Sequence, residues 1–325
     1  MSDLYNIPHD DGKTYRLRKF VEYQHEVPSI HYRFLGEVIK KRNTPKDEAV
    51  VLAWILSLTY NEITALLISE MAQRKSLEQI WSEEKPKLQF GSAKKYTKNR
   101  DEFVPLMLDF RTLTQCTYYR WLLSCQRASG EETYKTIQKQ LRTLNACGRF
   151  TSDIFLETST YLKDYFGLRI NEPAAIDWKN CANLTSGIFN IFYEDEKANQ
   201  YDKKKDLTNK DIQFLTEKLV VIQNAIKNTY PEQDAEISMF IGKICSFRNL
   251  FKNARYGGFH HDRQLGVIKK YEEDYPEYKY LWEECYNTRK RIFPNHLLGE
   301  LNGWDGIRKE RKKLWLTTGM TGVER

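Results

Sequence analysis

Apolar residues recur at helical spacing along most of the chain, whereas runs of alternating β-branched residues are few. This pattern predicts an all-α protein with no strand–helix repeat of the kind that builds a parallel sheet. Pro28 divides an aromatic and basic stretch, Tyr15 to Lys41, into two predicted helices. The next helix is predicted to run from Pro45 to about Arg74, and because it is apolar on nearly all sides it should lie in the core.

The stretch from Leu144 to Leu162, LNACGRFTSDIFLETSTYL, is predicted to begin as a tight turn between two helices. Gly148 can supply a positive φ in that turn. Arg149 and Thr151 follow at the start of the second helix, where backbone N–H groups and the helix dipole favour an anion.

The same turn approximates the L-x-G-x-G-x-x-T-A pattern of helix-hairpin-helix DNA-binding turns. The matched positions are Leu144, Ala146, Gly148, Thr151 and Ser152, of which Ala146 and Ser152 depart from the pattern. Short patterns of this kind arise often, so an ordinary αα-hairpin in a helical core is the alternative interpretation.

Two further segments are rich in basic residues. The stretch from Glu83 to Arg100 is polar and lysine-rich, which predicts a loop that is mobile or forms an interaction surface. Arg248, Lys252 and Arg255 are spaced by four and three residues, so they share one helix face that can bind phosphates. A solvated basic helix is the alternative there.

Candidate acid–base groups lie in two places. His261 and Asp262 follow a Gly-Gly pair and precede Arg263, which can bind an anion. Asp177 ends a predicted irregular segment, although an aspartate at such a position often caps a helix.

The composition permits a polyanionic partner without requiring one, because the net charge is +7 and the pI is about 8.9. The six cysteines contain no C-x-x-C pair, which indicates reduced thiols in a cytosolic protein.

No apolar run approaches the roughly 18 residues of a membrane span. The polar N-terminus does not resemble a signal peptide. The nucleotide-loop, zinc-protease and serine-hydrolase motifs are missing, and we expect neither a cofactor nor a metal.

Several short motifs occur in an order that resembles one protein family. They are Gly148-Arg149-Phe150-Thr151, Leu184-Thr185-Ser186-Gly187, Cys245-x-Phe247-Arg248, Arg255-Tyr256-x-Gly258-Phe259-x-x-Asp262-Arg263 and Gly306-Ile307-Arg308-Lys309. Together they resemble the alpha-glutamyl/putrescinyl thymine pyrophosphorylases, the amino acid:DNA transferases of DNA-hypermodifying phages. The resemblance covers about Glu131 to Glu310.

The resemblance implies a fold related to helix-hairpin-helix DNA glycosylases. We expect a transferase region (131–325), and before it an N-terminal helical region (1–130) that the resemblance does not cover. The resemblance implies an enzyme that acts on double-stranded phage DNA carrying activated hydroxymethyluracil. The enzyme would displace pyrophosphate from 5-pyrophosphomethyl-deoxyuridine with the amine of an amino acid or polyamine, in functional partnership with a DNA kinase. The place of action would be the cytoplasm of the infected bacterial host, with no membrane involved.

The resemblance also implies roles for individual residues. The expected pyrophosphate-binding residues are Arg149, Arg255, Arg263, Tyr256 and Thr151. The expected DNA-binding residues are Gly148, Arg248, Lys252, Arg308 and Lys309. The acid–base candidates are Asp262, His261 and Asp177. We expect Arg149, Arg255 and Arg263 to converge on one pocket with Tyr256 and Asp262, because a single arginine cannot neutralise a pyrophosphate.

Two other functions stay open at this point. The first is a DNA glycosylase or lyase of the same fold. Bifunctional members carry a lysine after the glycine of the hairpin, and the absence of a lysine after Gly148 argues against this function. The second is a non-catalytic helical protein that binds DNA.

Overall fold

Helices make up all the regular secondary structure in the described residues of the computed structural model, which are 15–27, 29–91, 94–171, 178, 182–202, 207–231, 240–245, 247 and 258–299. The all-α prediction is therefore confirmed at the level of fold class, while the glycosylase-like arrangement stays a prediction. None of the helices described there has both the length and the apolar character needed to cross a bilayer.

Sixteen helices can be numbered in the described part of the chain. They are α1 Tyr15–Glu26, α2 His31–Arg42, α3 Lys46–Thr59, α4 Glu62–Met71, α5 Leu77–Glu84, α6 Lys95–Asn99, α7 Phe103–Thr114, α8 Tyr118–Ser124, α9 Gly130–Leu141, α10 Arg149–Tyr161, α11 Lys163–Phe166, α12 Ala182–Ile191, α13 Asp195–Asp202, α14 Asn209–Thr229, α15 Phe259–Asp274 and α16 Lys279–Ile292. Short 3-10 turns at Pro276–Tyr278 and Asn295–Leu297 flank α16.

The chain forms two compact units that are interleaved in sequence. The first unit consists of Met1–Ser29, Ala175–Asp262 and Pro294–Arg325, and the second consists of Ile30–Ala174 and Arg263–Phe293. Residue 130, where the sequence analysis divides the chain, falls inside the second unit. The division into regions 1–130 and 131–325 stays a prediction.

In the first unit, α1 packs against α12 and α14. The ring of Phe20 meets that of Phe247 edge-on, with centroids 5.3 Å apart, and both side chains are buried. A Cβ on Gly187 would lie 2.6 Å from the Ile244 side chain and 2.9 Å from its carbonyl oxygen. Glycine at this position therefore lets α12 approach the 240–245 segment closely.

The core of the second unit is built on α3. Its Trp54 is fully buried, stacks on Phe110 of α7 at 4.5 Å and meets Phe155 of α10 edge-on at 6.0 Å. These contacts confirm that this helix is a buried core helix. They also fix α10 against α3, which determines where the first turn of α10 lies.

The prediction of a single helix from Pro45 to about Arg74 is wrong, because this stretch forms two helices, α3 and α4. Tyr60 ends α3 in the left-handed region, with φ of 48°. Asn61 then begins α4 as its N-cap, and its side chain accepts a 3.1 Å hydrogen bond from the backbone N–H of Thr64. Both flanking helices are largely buried, and the break places Tyr60 at the end of α3 and Glu62 at the start of α4.

The predicted helix–turn–helix around Gly148 is present as α9 and α10, which pack on each other. A capping box formed by Ser129 and Glu132 starts α9. The expectation that Gly148 supplies the positive φ is wrong, since its φ is −73° and Ala146 takes the left-handed conformation at 57°.

The prediction of a continuous loop from Glu83 to Arg100 is also corrected, whereas its use as an interaction surface stays a prediction. Glu84 ends α5, and residues 95–99 form α6. Between these helices Leu88 and Phe90 are buried, and the backbone N–H of Gly91 donates to the carbonyl of Thr59 at 2.8 Å. Residues 88–91, named here the 88–91 segment, are therefore anchored to the core.

Gly91→Ala should destabilise the second unit by about 1–3 kcal/mol. A Cβ at Gly91 would lie 2.5 Å from the carbonyl oxygen of Tyr60 and 2.9 Å from its Cβ, and neither atom belongs to a flexible side-chain tip. The change is measured as the free energy of unfolding in urea.

Gly148→Ala is the matched control. Its Cβ would meet no atom within 4 Å and its φ suits any residue, so the expected change is below about 1 kcal/mol. Equal losses in the two variants would contradict the close approach at Gly91.

Candidate functional site

The first turn of α10 forms one wall of the candidate site. Gly148 is the N-cap, and its carbonyl accepts the backbone N–H groups of Thr151 at 3.1 Å and Ser152 at 3.3 Å. Arg149 and Thr151 therefore lie at the helix start, as predicted from the sequence. Between them the ring of Phe150 is 42% exposed. The positive end of the helix dipole is thus accompanied by an exposed aromatic ring.

A buried lysine that the sequence analysis missed contacts this helix start. Lys94 has no exposed surface, and its Nζ donates a hydrogen bond to Oγ1 of Thr151. The same Nζ lies 5.4 Å from the centroid of the Phe150 ring. Burial lowers the pKa of Lys94 to about 8, against smaller opposing effects of Cys147 and Glu102.

The 88–91 segment, which leads to Lys94, is fixed from several sides. The hydroxyl of Tyr271 in α15 accepts the backbone N–H of Gln89 at 2.6 Å and hydrogen-bonds to Oγ1 of Thr64 at 2.7 Å. Nη2 of Arg263 donates to the carbonyl oxygen of Phe90 at 2.5 Å. Arg263 thus helps to fix the backbone that precedes Lys94, and its expected role in binding pyrophosphate stays a prediction.

Arg149 is engaged with its own helix. Its Nε pairs with Oδ2 of Asp153 at 3.0 Å, and Gln138 donates to the other carboxylate oxygen at 3.0 Å. Burial raises the pKa of Asp153, while Arg149 acts in the opposite direction. An anion that binds Arg149 must therefore compete with Asp153 for the guanidinium group.

A second polar group reaches the site from α2 and α4. Nδ1 of His31 donates to Oε2 of Glu62 at 2.5 Å, and the imidazole lies 4.2 Å from the Tyr60 ring, centroid to centroid. Tyr60 in turn meets Phe150 edge-on at 5.1 Å. The helix break at Tyr60 thus connects the imidazole to the exposed ring at the start of α10.

Glu62 is 2% exposed and both of its carboxylate oxygens accept hydrogen bonds. Burial alone would raise its pKa, but His31 and a 2.5 Å hydrogen bond from Nε2 of Gln264 bring the pKa below its ordinary value. Nη1 of Arg289 donates to Oε1 of Gln264. The carboxylate is therefore held ionised and in a fixed orientation.

The remaining predicted residues are distributed as follows. His261 is 1% exposed, Asp262 is half-buried, and the backbone N–H groups of both donate to the carbonyl of Gly258 in the first unit. The other predicted residues lie outside the described part of the chain: Asp177, Arg248, Lys252, Arg255, Tyr256, Arg308 and Lys309. Convergence of Arg149, Arg255 and Arg263 with Tyr256 and Asp262 stays a prediction.

An open pocket of about 400 Å³ lies elsewhere in the second unit, around Arg42. Arg42 pairs with Glu70 at 2.8 Å and Glu284 at 2.5 Å, and the hydroxyl of Tyr280 donates to Glu70 at 2.7 Å. These charged groups pair with one another within the protein, so we interpret the residues that line the pocket as a structural ion-pair network. Within the described ranges, no three His, Cys, Asp or Glu side chains are grouped so that they could hold a metal ion.

Comparisons of the chain with protein-family models, with curated proteins and with solved structures find no match. The candidate site therefore rests on its own geometry and on the motifs in the sequence.

The burial of Lys94 predicts a specific pH dependence of stability. The folded chain binds fewer protons than the unfolded chain between about pH 8 and the ordinary value of 10.5, so the contribution of Lys94 to the free energy of unfolding rises with pH in that window. Lys94→Met removes the buried ammonium and should be most stabilising at or below pH 8. This advantage should shrink by up to about 1.4 kcal/mol per pH unit above it.

Lys95→Met is the matched control, because Lys95 is the exposed neighbour at the start of α6. Urea unfolding from pH 7 to 10 measures both variants against the wild type. A difference between Lys94→Met and the wild type that stays constant across this range would show that Lys94 does not titrate abnormally.

Proposed function

We propose that this protein is a phage DNA-modifying transferase. It displaces pyrophosphate from 5-pyrophosphomethyl-deoxyuridine in double-stranded DNA with the amine of an amino acid or polyamine, and the product is a hypermodified thymine. The order of the sequence motifs and the basic net charge support this proposal. The activated base would come from a DNA kinase in the cytoplasm of the infected host.

The observation that carries the proposal is the position of Lys94 at the start of α10. A helix N-terminus disfavours a cation, and a lysine with no exposed surface is costly. The two unfavourable features occur together, and an anion at the same place would offset both. A pyrophosphate held by Lys94, Thr151 and the backbone N–H groups of α10 has the required charge, with Arg149 one residue further out.

The aromatic side chains around this helix start suit the other part of the substrate. Reaching the 5-methylene group of a base in a duplex requires that the base leave the stack. The exposed ring of Phe150 and the adjacent ring of Tyr60 provide apolar faces that a displaced base can contact. Phe150 and Lys94 would then contact the base and its pyrophosphate from neighbouring positions.

A glycosylase or lyase is the second candidate, and Lys94 gives it specific support. The sequence argument against it was that no lysine follows Gly148. Lys94 contacts the same helix start from a different segment, and a lysine with a lowered pKa can act as a nucleophile. The two candidates differ in product, because a glycosylase releases the base and leaves an abasic site, and a lyase then cleaves the strand through a transient imine between lysine and the sugar.

The direct test is incubation with DNA that carries 5-pyrophosphomethyl-deoxyuridine and a mixture of amino acids and polyamines. The DNA is then digested to nucleosides for mass spectrometry. We expect an amine-substituted thymidine from the wild type and from Lys95→Met. Lys94→Met should lower the rate about 100-fold or more, because a preorganised cation at the departing charge is lost.

Borohydride is added to a parallel reaction to trap any lysine–DNA intermediate. Release of the modified base together with a trapped complex would show that the protein is a lyase and not a transferase. DNA binding with no change in the nucleosides would leave a non-catalytic DNA-binding protein.

The basic face of Arg248, Lys252 and Arg255 predicts how DNA binding depends on salt. If each residue contacts one phosphate, the triple alanine variant should lower the slope of log affinity against log salt by about three units. Fluorescence anisotropy with a short duplex at several salt concentrations measures this slope.

The control is a triple alanine variant of Lys269, Lys270 and Lys290, which removes the same charge from exposed positions of α15 and α16. Equal slopes in the two triple variants would mean that the predicted face does not contact the DNA.

A further inference from the structure

His31 and Glu62 form a hydrogen-bonded pair whose two side chains differ in their exposure. His31 is the first residue of α2, and its side chain is 19% exposed. Glu62, by contrast, is buried in α4 and directs Oε2 at Nδ1 of the imidazole. The partly accessible member of the pair is thus the one that can exchange a proton, and the buried member carries the fixed charge.

The surroundings hold the carboxylate in place. Asn61 caps α4 next to Glu62, Gln264 donates to Oε1, and Arg289 orients Gln264 from behind. Cys285 is fully buried, and this burial raises its pKa above the ordinary value, so it stays a neutral thiol and adds no charge near Glu62. A carboxylate fixed in this way selects the imidazole tautomer with the proton on Nδ1, and it stabilises the imidazolium that forms when Nε2 takes a proton.

We propose that His31 is the general base of the transfer reaction and that Glu62 is its positioning residue. This inference rests on the proposed function, and it names a residue that the sequence motifs do not include. His31 lies beside Tyr60, and Tyr60 contacts Phe150, so the imidazole borders the place where the displaced base would lie.

The proton balance explains why a base is needed there. An amino acid or polyamine arrives as an ammonium ion, which has no electron pair for attack. Nε2 of His31 takes one proton, and the amine nitrogen then forms the new bond to the 5-methylene carbon. The bond from that carbon to oxygen breaks, and pyrophosphate leaves with the electron pair. The amine must lose this proton whether displacement is direct or passes through a methide.

The first experiment does not depend on the reaction. Diethyl pyrocarbonate acylates accessible unprotonated imidazoles, and peptide mass spectrometry gives the rate at each histidine of the folded protein. We expect His31 to be acylated at pH 7, with the exposed His25 as a reactive reference and the buried His261 as an unreactive one. Glu62→Gln should change the acylation rate at His31 alone, because it removes the carboxylate that fixes the Nδ1 proton and stabilises the imidazolium. Absence of acylation at His31 would overturn the inference, because a base must reach its substrate.

The second experiment uses the transfer assay. His31→Ala should lower kcat by about 100- to 10,000-fold with little change in KM for DNA, and added imidazole should restore part of the rate. A purely structural role would give no such rescue. His25→Ala is the control, since it removes a histidine from α1 in the first unit and should keep the wild-type rate.

The two proposals fail in different ways. A wild type that forms no amine-substituted thymidine overturns the proposed function, and the role of His31 falls with it. A wild type that forms the product, together with His31→Ala that retains full kcat, overturns only the role of His31. Circular dichroism of each variant verifies folding, and Glu62→Asp replaces Glu62→Gln if the latter does not fold.

Discussion

The turn between α3 and α4 is the constraint on which the candidate site depends. Two largely buried helices are joined by only two residues inside the core, where backbone polar groups need partners. Tyr60 meets this need with a left-handed conformation, and Asn61 meets it with a side-chain cap. Gly91 then fits against the Tyr60 backbone because it has no Cβ. The aromatic ring and the carboxylate at the site are direct results of this turn.

The site contains two buried charged residues of opposite sign, and they differ in their hydrogen-bond partners. Glu62 has hydrogen bonds to both oxygens, so its charge is compensated within the protein. Lys94 donates to a neutral hydroxyl, and burial still lowers its pKa. The carboxylate is thus held in its ionised form by its neighbours, whereas burial destabilises the charged form of the lysine.

The sequence predicted what local interactions determine. Helical periodicity predicted the two helices on either side of Gly148, which are α9 and α10 in the structure. Asn61 was also a readable N-cap signal, but the long apolar run around it suggested one continuous helix. The positive φ at Ala146 could not be predicted, because turn geometry there depends on how α9 and α10 pack on the core.

The site itself was only partly predictable. Arg149 and Thr151 follow from the helix start, whereas Lys94 lies in a stretch whose lysine content suggested a solvated loop. A local hint in the sequence was the apolar pair Leu88 and Phe90 within that polar stretch, and both side chains are buried in the structure. The pairing of His31 with Glu62 joins residues 31 positions apart, and no periodicity in the sequence reports such a contact.

The residues that orient the site belong to a different segment of the chain from the residues proposed to react. His31, Lys94 and Phe150 belong to the segment Ile30–Ala174, whereas Tyr271, Gln264 and Arg289 belong to Arg263–Phe293. Nearly ninety residues assigned to the other unit separate the two segments. Recombination that exchanged only the later segment would keep every reactive side chain and remove the hydrogen bonds that orient them. Related chains could therefore diverge in rate or in choice of amine through changes far from any residue that touches the substrate.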